Sequence, residues 1–329
     1  MTSPKVPEQP PPSYSSPSSP LSFSEIKLAH HPASSPTVTP IIILSISRAQ
    51  KNNAFTAVME NDMVRAFDIL DRDERVKVIV VTGDPKGKNF CAGADLGLAH
   101  GLERTEGIGG REHRDGGGRV ALAIHRCRKP TIAAIQGAAI GIGITMTLPM
   151  TIRLAWSDAR IGFVFSQRGV VMEAASSFFL PRLIGHSKAL FVTPEMYPLY
   201  QRTYQVRILR PNRYLATTGS VLPASSPHFG HLFHELLPSS SSVLPRALTL
   251  ASQIARQTST VSTYLMRMMM YRGPSSAEGA HLLDSELMWE LYEKEDKKEG
   301  MRAWMEKRDP EMEGDLKSGL SPVCLGGRK

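Results

Sequence analysis

The feature that most constrains this chain is an alternation of short β-branched runs with segments of helical period. Ile41 to Ile46, Val76 to Val81, Thr131 to Ile135 and Thr151 to Ala155 are apolar runs of strand length. Between the first two, Met59, Met63, Phe67 and Leu70 recur at helical spacing behind Thr56, a residue type that caps helix N-termini. A second helix is expected from Val120 to Cys127, ended by Pro130, and an apolar helix after the glycine-rich turn that follows Ile135. Strands that alternate with helices predict an α/β domain whose helices cover its sheets. From Pro245 onward the chain reads as helical, with Leu250, Ile254, Leu265 and Met269 on apolar faces. Glu293 to Arg308 reads as a solvated helix with ion-pair spacing.

The punctuation of the sequence sets the expected boundaries. Residues 1–20 are mostly Pro and Ser and cannot bury enough surface to order themselves, so order is expected from Leu21. Residues 21–193 form the expected core, with a Gly-rich, charged and mobile stretch at 100–118. Residues 194–214, carrying Pro194, Pro198 and Pro211, fit no regular element and read as an atypical insertion. Residues 215–243 close the core, with Ser239 to Ser242 as a linker, and 244–329 form a C-terminal helical region. With 41% apolar and 21% charged residues in 329, a chain of this kind can bury a sizeable core.

Charge and cysteine usage exclude some functions. The net charge of +8 suits an anionic partner without choosing among a phosphorylated small molecule, nucleic acid and an acidic surface. No basic-aromatic module argues for nucleic acid. Thr131 to Ile152 carries no charge and is long enough to span a bilayer, but Gln136, Pro149, four Thr and three Gly make it a buried strand and helix instead. Cys91, Cys127 and Cys324 form no CxxC pair, and their odd number argues against a disulfide framework and for a reducing, intracellular setting. The N-terminal residues lack the pattern of a secretory signal. Gly327-Arg328-Lys329 does not match a peroxisomal address, which leaves cytoplasm or peroxisome as the expected compartments.

Three patterns imitate functional motifs. Gly83 to Lys88 has one residue too few between its glycines for a phosphate loop and is followed by Asn89. Gly137, Gly141 and Gly143 lack dinucleotide-binding spacing. His228, His231 and His234 lie three apart, but Pro227 and Gly230 argue for a surface loop, so no metal site is expected. No nucleophile elbow is present, and Cys91 reads as a small buried residue.

Three segments carry the chemistry. Phe90 to Leu96 and Gln136 to Ile144 each set small residues in a turn after a strand, where backbone N–H groups can approach a ligand closely. Two such turns can aim two donors at one oxygen as an oxyanion hole, or they can simply be packed turns. In the third, Glu173 is a single acid among Val170, Val171, Met172, Ala174 and Ala175 at an expected helix start. It fits a helix-start carboxylate favoured by the dipole, and equally a desolvated general base with a raised pKa.

Taken in order, these segments resemble the crotonase superfamily of enoyl-CoA hydratases and isomerases. The matching pieces are Ser45-Ile46-Ser47-Arg48-Ala49-Gln50-Lys51-Asn52-Asn53-Ala54, Phe90-Cys91-Ala92-Gly93-Ala94-Asp95-Leu96 and Gln136-Gly137-Ala138-Ala139-Ile140-Gly141-Ile142-Gly143. They continue with the Glu173 segment, Leu180-Pro181-Arg182-Leu183-Ile184-Gly185 and Trp304-Met305-Glu306-Lys307-Arg308. The resemblance covers 40–193 and 215–314, and residues 194–214 have no counterpart in it. It implies a spiral of ββα turns forming two stacked sheets, followed by a helical trimerisation region, in an acyl-CoA enzyme assembled as a homotrimer or dimer of trimers. It also implies a thioester oxygen held by the N–H groups of Ala94 and Ile142. Ala92, Gly93, Asp95 and Leu96 would line the CoA pocket near the adenine, and Lys51, with Lys307 from a neighbouring subunit, would meet phosphates. CoA belongs to the substrate, and no separate cofactor is implied.

The sequence departs from the hydratase pattern of that family. The two Glu positions that activate and deliver water fall at Thr145 and Phe165, neither of which can act as a base. Ile142 replaces the usual middle Gly, though a backbone N–H remains. Glu173 matches the lone acid of the Δ3,Δ2-enoyl-CoA isomerase branch. An isomerase is therefore the expected activity. Hydration or dehydration with Glu173 as sole acid, and an inactive acyl-CoA-binding protein, are the alternatives.

Overall fold

The computed structural model describes residues 11–15, 21–95, 110–190, 218–314 and 316. The strands are β1 Ile26–His31, β2 Ile41–Ile46, β3 Val78–Gly83, β4 Asn89–Cys91, β5 Thr131–Ile135, β6 Ala138–Ile140, β7 Ile152–Trp156, β8 Arg160–Gly162, β9 Val221–Pro223 and β10 Glu235–Leu237. The helices are α1 Ala57–Arg72, α2 Gly116–Arg126, α3 Ile142–Thr145, α4 Ser176–Ile184, α5 His186–Leu190, α6 Ser240–Gln257, α7 Thr260–Arg272, α8 Ala277–Leu291 and α9 Glu295–Glu306.

A six-stranded sheet runs β1-β2-β3-β5-β7-β10, and a four-stranded sheet runs β4-β6-β8-β9. All pairings are parallel except β1 with β2 and β8 with β9. The pairs β3 and β4, β5 and β6, and β7 and β8 each place one strand in the large sheet and the next in the small one. Each pair is followed by a helix, which is the expected spiral of ββα turns.

The central strands β2, β3 and β5 of the large sheet are covered on both faces and are mostly apolar, as buried parallel strands are. In β3, Ile79 and Val81 enter the core shared with α1 and α2, whereas Val78 and Val80 face Val243, Ala247 and Ala251 of α6. Thr56 caps α1 by accepting from the Met59 N–H. Arg153 of β7 is buried without a carboxylate partner among the described residues. It donates instead to the carbonyls of Met150 at 2.6 Å and Leu232 at 2.9 Å, tying down the loop that follows α3.

Several expectations are corrected. Residues 11–15 pack against the domain instead of forming part of an unordered tail. Tyr14 is buried, its hydroxyl donates to Asp73 at 2.9 Å, and its N–H donates to His30 Nε2 at 3.1 Å. Asp73 and His30 give this segment a polar seat that composition alone hides. Ser239 to Ser242 is not a linker: Ser239 and Ser242 make a reciprocal capping box at the start of α6. Helix α2 begins at Gly116 inside the stretch read as mobile, because Asp115 caps it by accepting from the Gly118 N–H. The apolar helix after Gly141 is one turn long. Leu96 and the whole of 194–214 lie outside the described residues.

Candidate active site

The two small-residue turns leave neighbouring strands. β4 and β6 pair in parallel, so the chain exits both at the same end of the small sheet. In the first turn, Gly93 has φ 102°, and a Cβ there would stand 3.1 Å from the Ile140 carbonyl. A side chain there is disfavoured by the backbone conformation and would be tightly packed against that carbonyl. The N–H groups of Ala92 and Asp95 donate to the carbonyls of Asn52 at 3.1 Å and Phe55 at 2.9 Å. Between them, the Ala94 N–H has no acceptor among the described residues.

In the second turn, Gly141 has φ 53° and ψ −121°, and its N–H donates to the Gly162 carbonyl at 2.8 Å. A Cβ on Gly143 would lie 2.2 Å from the Cys91 carbonyl, so this turn packs directly on the end of β4. Ile142 is the first residue of α3, where an N–H has no intrahelical acceptor. The family resemblance singled out Ala94 and Ile142, and the structure puts them on adjoining turns.

Glu173 does not start a helix. It stands three residues ahead of α4, behind Ala174 and Ala175 with φ 56° and 51°. Two successive non-glycine residues in the left-handed region are costly, and such strain concentrates at functional sites. The turn is held by the Ser176 N–H and hydroxyl, which donate to the Glu173 carbonyl at 3.0 and 2.5 Å. The Ala174 N–H reaches Asp115 Oδ1 at 3.4 Å.

The Glu173 carboxylate reaches back to α3. The Thr145 hydroxyl lies 2.5 Å from Oε1, and Thr145 is fully buried. Oε2 lies over Gly117 of α2, where a Cβ would approach it to 1.7 Å. Burial raises the Glu173 pKa to about 7, with the Thr145 hydrogen bond lowering it and the Asp115 charge raising it further. Part of the expected cause needs correction. Val170 and Val171 are 55% and 86% exposed and shield nothing; the neighbours that crowd the carboxylate are Thr145, Gly117 and the Ile142 side chain.

The other site residues are less concentrated. Lys51 ends a short 3-10 turn, exposed, on the segment that hydrogen-bonds to the Ala92 turn. The Asp95 carboxylate is engaged by Arg48 at 3.0 Å, and Arg48 also pairs with Glu25 at 2.9 Å. Lys307 is exposed at the C-cap of α9. Phe165 is buried beside a 3-10 turn. Cys91 is buried, and its thiol pKa is pushed up to about 12 by desolvation, which makes it a poor nucleophile. His234 Nδ1 accepts the Arg153 N–H, and no group of three metal-ligating side chains occurs among the described residues. Nor is any described helix long and apolar enough to cross a membrane.

Sequence reasoning missed Asp115, Gly117 and the contact of Thr145. Asp115 had a signal, since Asp ahead of Val120, Ala121 and Ile124 is an N-cap pattern. The contact of Thr145 with Glu173 spans 28 residues and has no local signature.

Comparison with known proteins bears on this geometry. An enoyl-CoA hydratase/isomerase family model matches residues 37–196. Enoyl-CoA hydratase AFT3-1 of Alternaria alternata is 44% identical over 287 residues, covering 86% of this chain and 86% of its own length. Enoyl-CoA hydratase ACTT3 of the same organism is 44% identical over 286 residues, covering 85% of this chain and 86% of its own. Among solved structures, an enoyl-CoA hydratase from Bacillus anthracis superposes with a TM-score of 0.69 at 21% identity, covering 89% of this chain and 100% of its own. One from Polaromonas sp. JS666 gives 0.68 at 20% identity, covering 84% and 97%. These two structural likenesses speak to the fold alone.

Proposed function

This chain belongs to the enoyl-CoA hydratase/isomerase family, whose substrates are acyl-CoA thioesters, and from that premise we propose that it is an enoyl-CoA isomerase. The reaction moves a double bond from C3 to C2. The observation that carries this reading is the crowded carboxylate of Glu173 beside two turns whose Ala94 and Ile142 N–H groups have no acceptor among the described residues. The hydratase positions are filled by Thr145 and Phe165.

In this mechanism the thioester oxygen sits between the Ala94 and Ile142 N–H groups. Glu173 takes a proton from C2, and the electron pair moves onto the thioester oxygen as an enolate. Each N–H donor in such a hole is typically worth about 3–4 kcal/mol in the transition state. Glu173 then returns the proton at C4 as the double bond settles at C2, so nothing is consumed and no cofactor is needed. A carboxyl group titrating at about 7 can both accept and return a proton near neutral pH.

Substrate binding follows the same turns. The backbone of Ala92, Gly93, Asp95 and Leu96 would face the CoA moiety, with the Asp95 side chain committed to Arg48. Lys51 and Lys307 of a neighbouring subunit would meet its phosphates. Assembly as a homotrimer or dimer of trimers is supported by exposed apolar side chains on α7 to α9, among them Met270, Trp289 and Trp304 at 83%, 81% and 78% exposure. The buried free thiols Cys91 and Cys127 go with an intracellular setting, cytoplasmic or peroxisomal.

One observation favours a second reading. The relatives at 44% identity carry the name enoyl-CoA hydratase. In that case Glu173 would activate water for addition to a 2-enoyl-CoA. Product analysis in oxygen-18 water separates the two. The isomerase reading expects conjugated 2-enoyl-CoA from 3-enoyl-CoA with no oxygen gained. Labelled 3-hydroxyacyl-CoA formed from 2-enoyl-CoA, with 3-enoyl-CoA left unchanged, would establish the hydratase instead.

A further inference from the structure

The hydroxyl that holds Glu173 has a second acceptor. Thr145 Oγ1 lies 2.5 Å from Glu173 Oε1 and 3.2 Å from the Gly141 carbonyl oxygen. That carbonyl belongs to the same peptide group as the Ile142 N–H, one of the two donors assigned to the enolate oxygen. Thr145 thus stands between the base and the oxyanion hole, at the last residue of the single-turn helix that Ile142 begins.

A hydroxyl has one proton and can donate to only one of these oxygens at a time. While Glu173 is ionised, donation to the carboxylate is charge-assisted and dominates, as the short distance indicates. Once Glu173 has taken the substrate proton, Oε1 is a weaker acceptor, and the Gly141 carbonyl, which also accepts the Ile144 and Thr145 N–H groups at 3.0 Å, is the competing one. Thr145 is fully buried, so water cannot substitute for either bond. Hydrogen bonds in chains polarise one another, so donation to the Gly141 carbonyl strengthens the N–H at the other end of that peptide. That moment is also when negative charge resides on the thioester oxygen.

The other oxygen of the base is arranged differently. Among the described residues no donor reaches Glu173 Oε2, which lies over Gly117. An oxygen that must accept a proton from carbon needs a free lone pair, and Oε2 has one.

We propose that Thr145 is a positioning residue that fixes Glu173 through Oε1, leaves Oε2 to exchange protons with substrate, and transfers its hydroxyl bond to the Gly141 peptide when the base is protonated. The position where hydratases of the family carry an acid is thereby used to couple base and oxyanion hole. This inference rests on the reading of Glu173 as the base.

The charged and titratable groups around Glu173 do not reproduce the effect. Asp115, at the start of α2, raises the Glu173 pKa. Cys91, at the end of β4, is held as a neutral thiol. Arg119 of α2 is paired with Glu60 of α1, and Arg48 with Glu25 and Asp95.

Two readouts test the proposal. The first needs no substrate: the protonated-carboxyl infrared band that disappears in Glu173→Gln is followed against pH in the intact protein and in Thr145→Val. Loss of the hydroxyl removes a bond to the charged form, so the titration should move to higher pH, and Thr145→Ser should restore it. The second is kinetic. Thr145→Val should lower kcat on a 3-enoyl-CoA at pH 7 by about tenfold, as for loss of a hydrogen bond to a charged group, with KM nearly unchanged. Part of that deficit should persist at high pH, where Glu173 is ionised in both proteins. If Thr145→Val folds poorly, Thr145→Ala carries the same expectations. An unmoved titration overturns the proposal, and full recovery of kcat at high pH overturns the link to Ile142. If the turnover reading itself fails, no variant acts on enoyl-CoA while the infrared titration still reports on Thr145, so the two failures are distinguishable.

Discussion

Glu173 is a carboxylate whose native environment favours its neutral form, and this has consequences for both rate and stability. Its pKa is about 7 against an ordinary carboxylate value of 4.5, so between these pH values the folded protein binds more protons at this site than the unfolded chain. The sign is that of a group raised by burial: its contribution to stability falls as pH rises from 4.5 to 7, and the penalty is complete above that. Glu173→Gln should therefore raise the melting temperature at pH 8 and change it little at pH 4. A carboxylate stabilised by a helix N-terminus would instead lose stability at pH 8 on the same substitution. Turnover by the intact enzyme should rise with pH through a limb centred near 7, because the base must be ionised. A flat profile between pH 5 and 9 would count against that role. At Ala94, the substitution Ala94→Pro removes the N–H and should abolish turnover, provided circular dichroism shows a folded protein. Full activity in that protein would remove Ala94 from the oxyanion hole.

At the level of elements, the site depends on glycines that admit other groups. Gly117 lies within α2, where Ala is a better helix former by about 1 kcal/mol. Yet its Cβ would strike Glu173 Oε2 and come within 2.8 Å of the Ile142 side chain. Gly117→Ala should sharply lower kcat while the helical signal is kept; normal turnover would show that Glu173 does not need this position. The same elements show what the sequence made legible. β2, β5 and α1 were readable because their apolar period is local and strong. The turns of Ala94 and Ile142 stood out because only small residues fit where two backbones meet. The start of α2 at Gly116 was signalled only by the capping residue Asp115, which the poor helix propensity of the three glycines after it obscured. The pairing of Thr145 with Glu173, and of Asp115 with the Ala174 N–H, joins residues 28 and 59 apart and exists only after the spiral closes.

For the molecule as a whole, two surfaces make opposite demands. Tyr14 is sequestered with Asp73, and Tyr14→Phe leaves the Asp73 carboxylate with only Arg75 among the described residues. A loss of about 1 kcal/mol in denaturant unfolding is expected, with unchanged kcat. An unchanged midpoint would mean that the N-terminal contact adds nothing. The C-terminal helices, in contrast, present large apolar side chains to solvent, with Leu282, Met288 and Met305 at 71%, 69% and 66% exposure. Burying them between subunits would recover roughly 25 cal/mol per Å² of apolar area. Sedimentation at micromolar concentration should show trimers or hexamers, and a persistent monomer would remove the assembly reading. The account as a whole turns on one carboxylate moving one proton between two carbons. Its most direct test is the turnover of a 3-enoyl-CoA at pH 7 by the intact protein and by Glu173→Gln, which keeps size and hydrogen-bonding shape. The account predicts conversion to the conjugated 2-enoyl-CoA by the first and at least about 10²-fold slower turnover by the second. Equal turnover by the two proteins would contradict it.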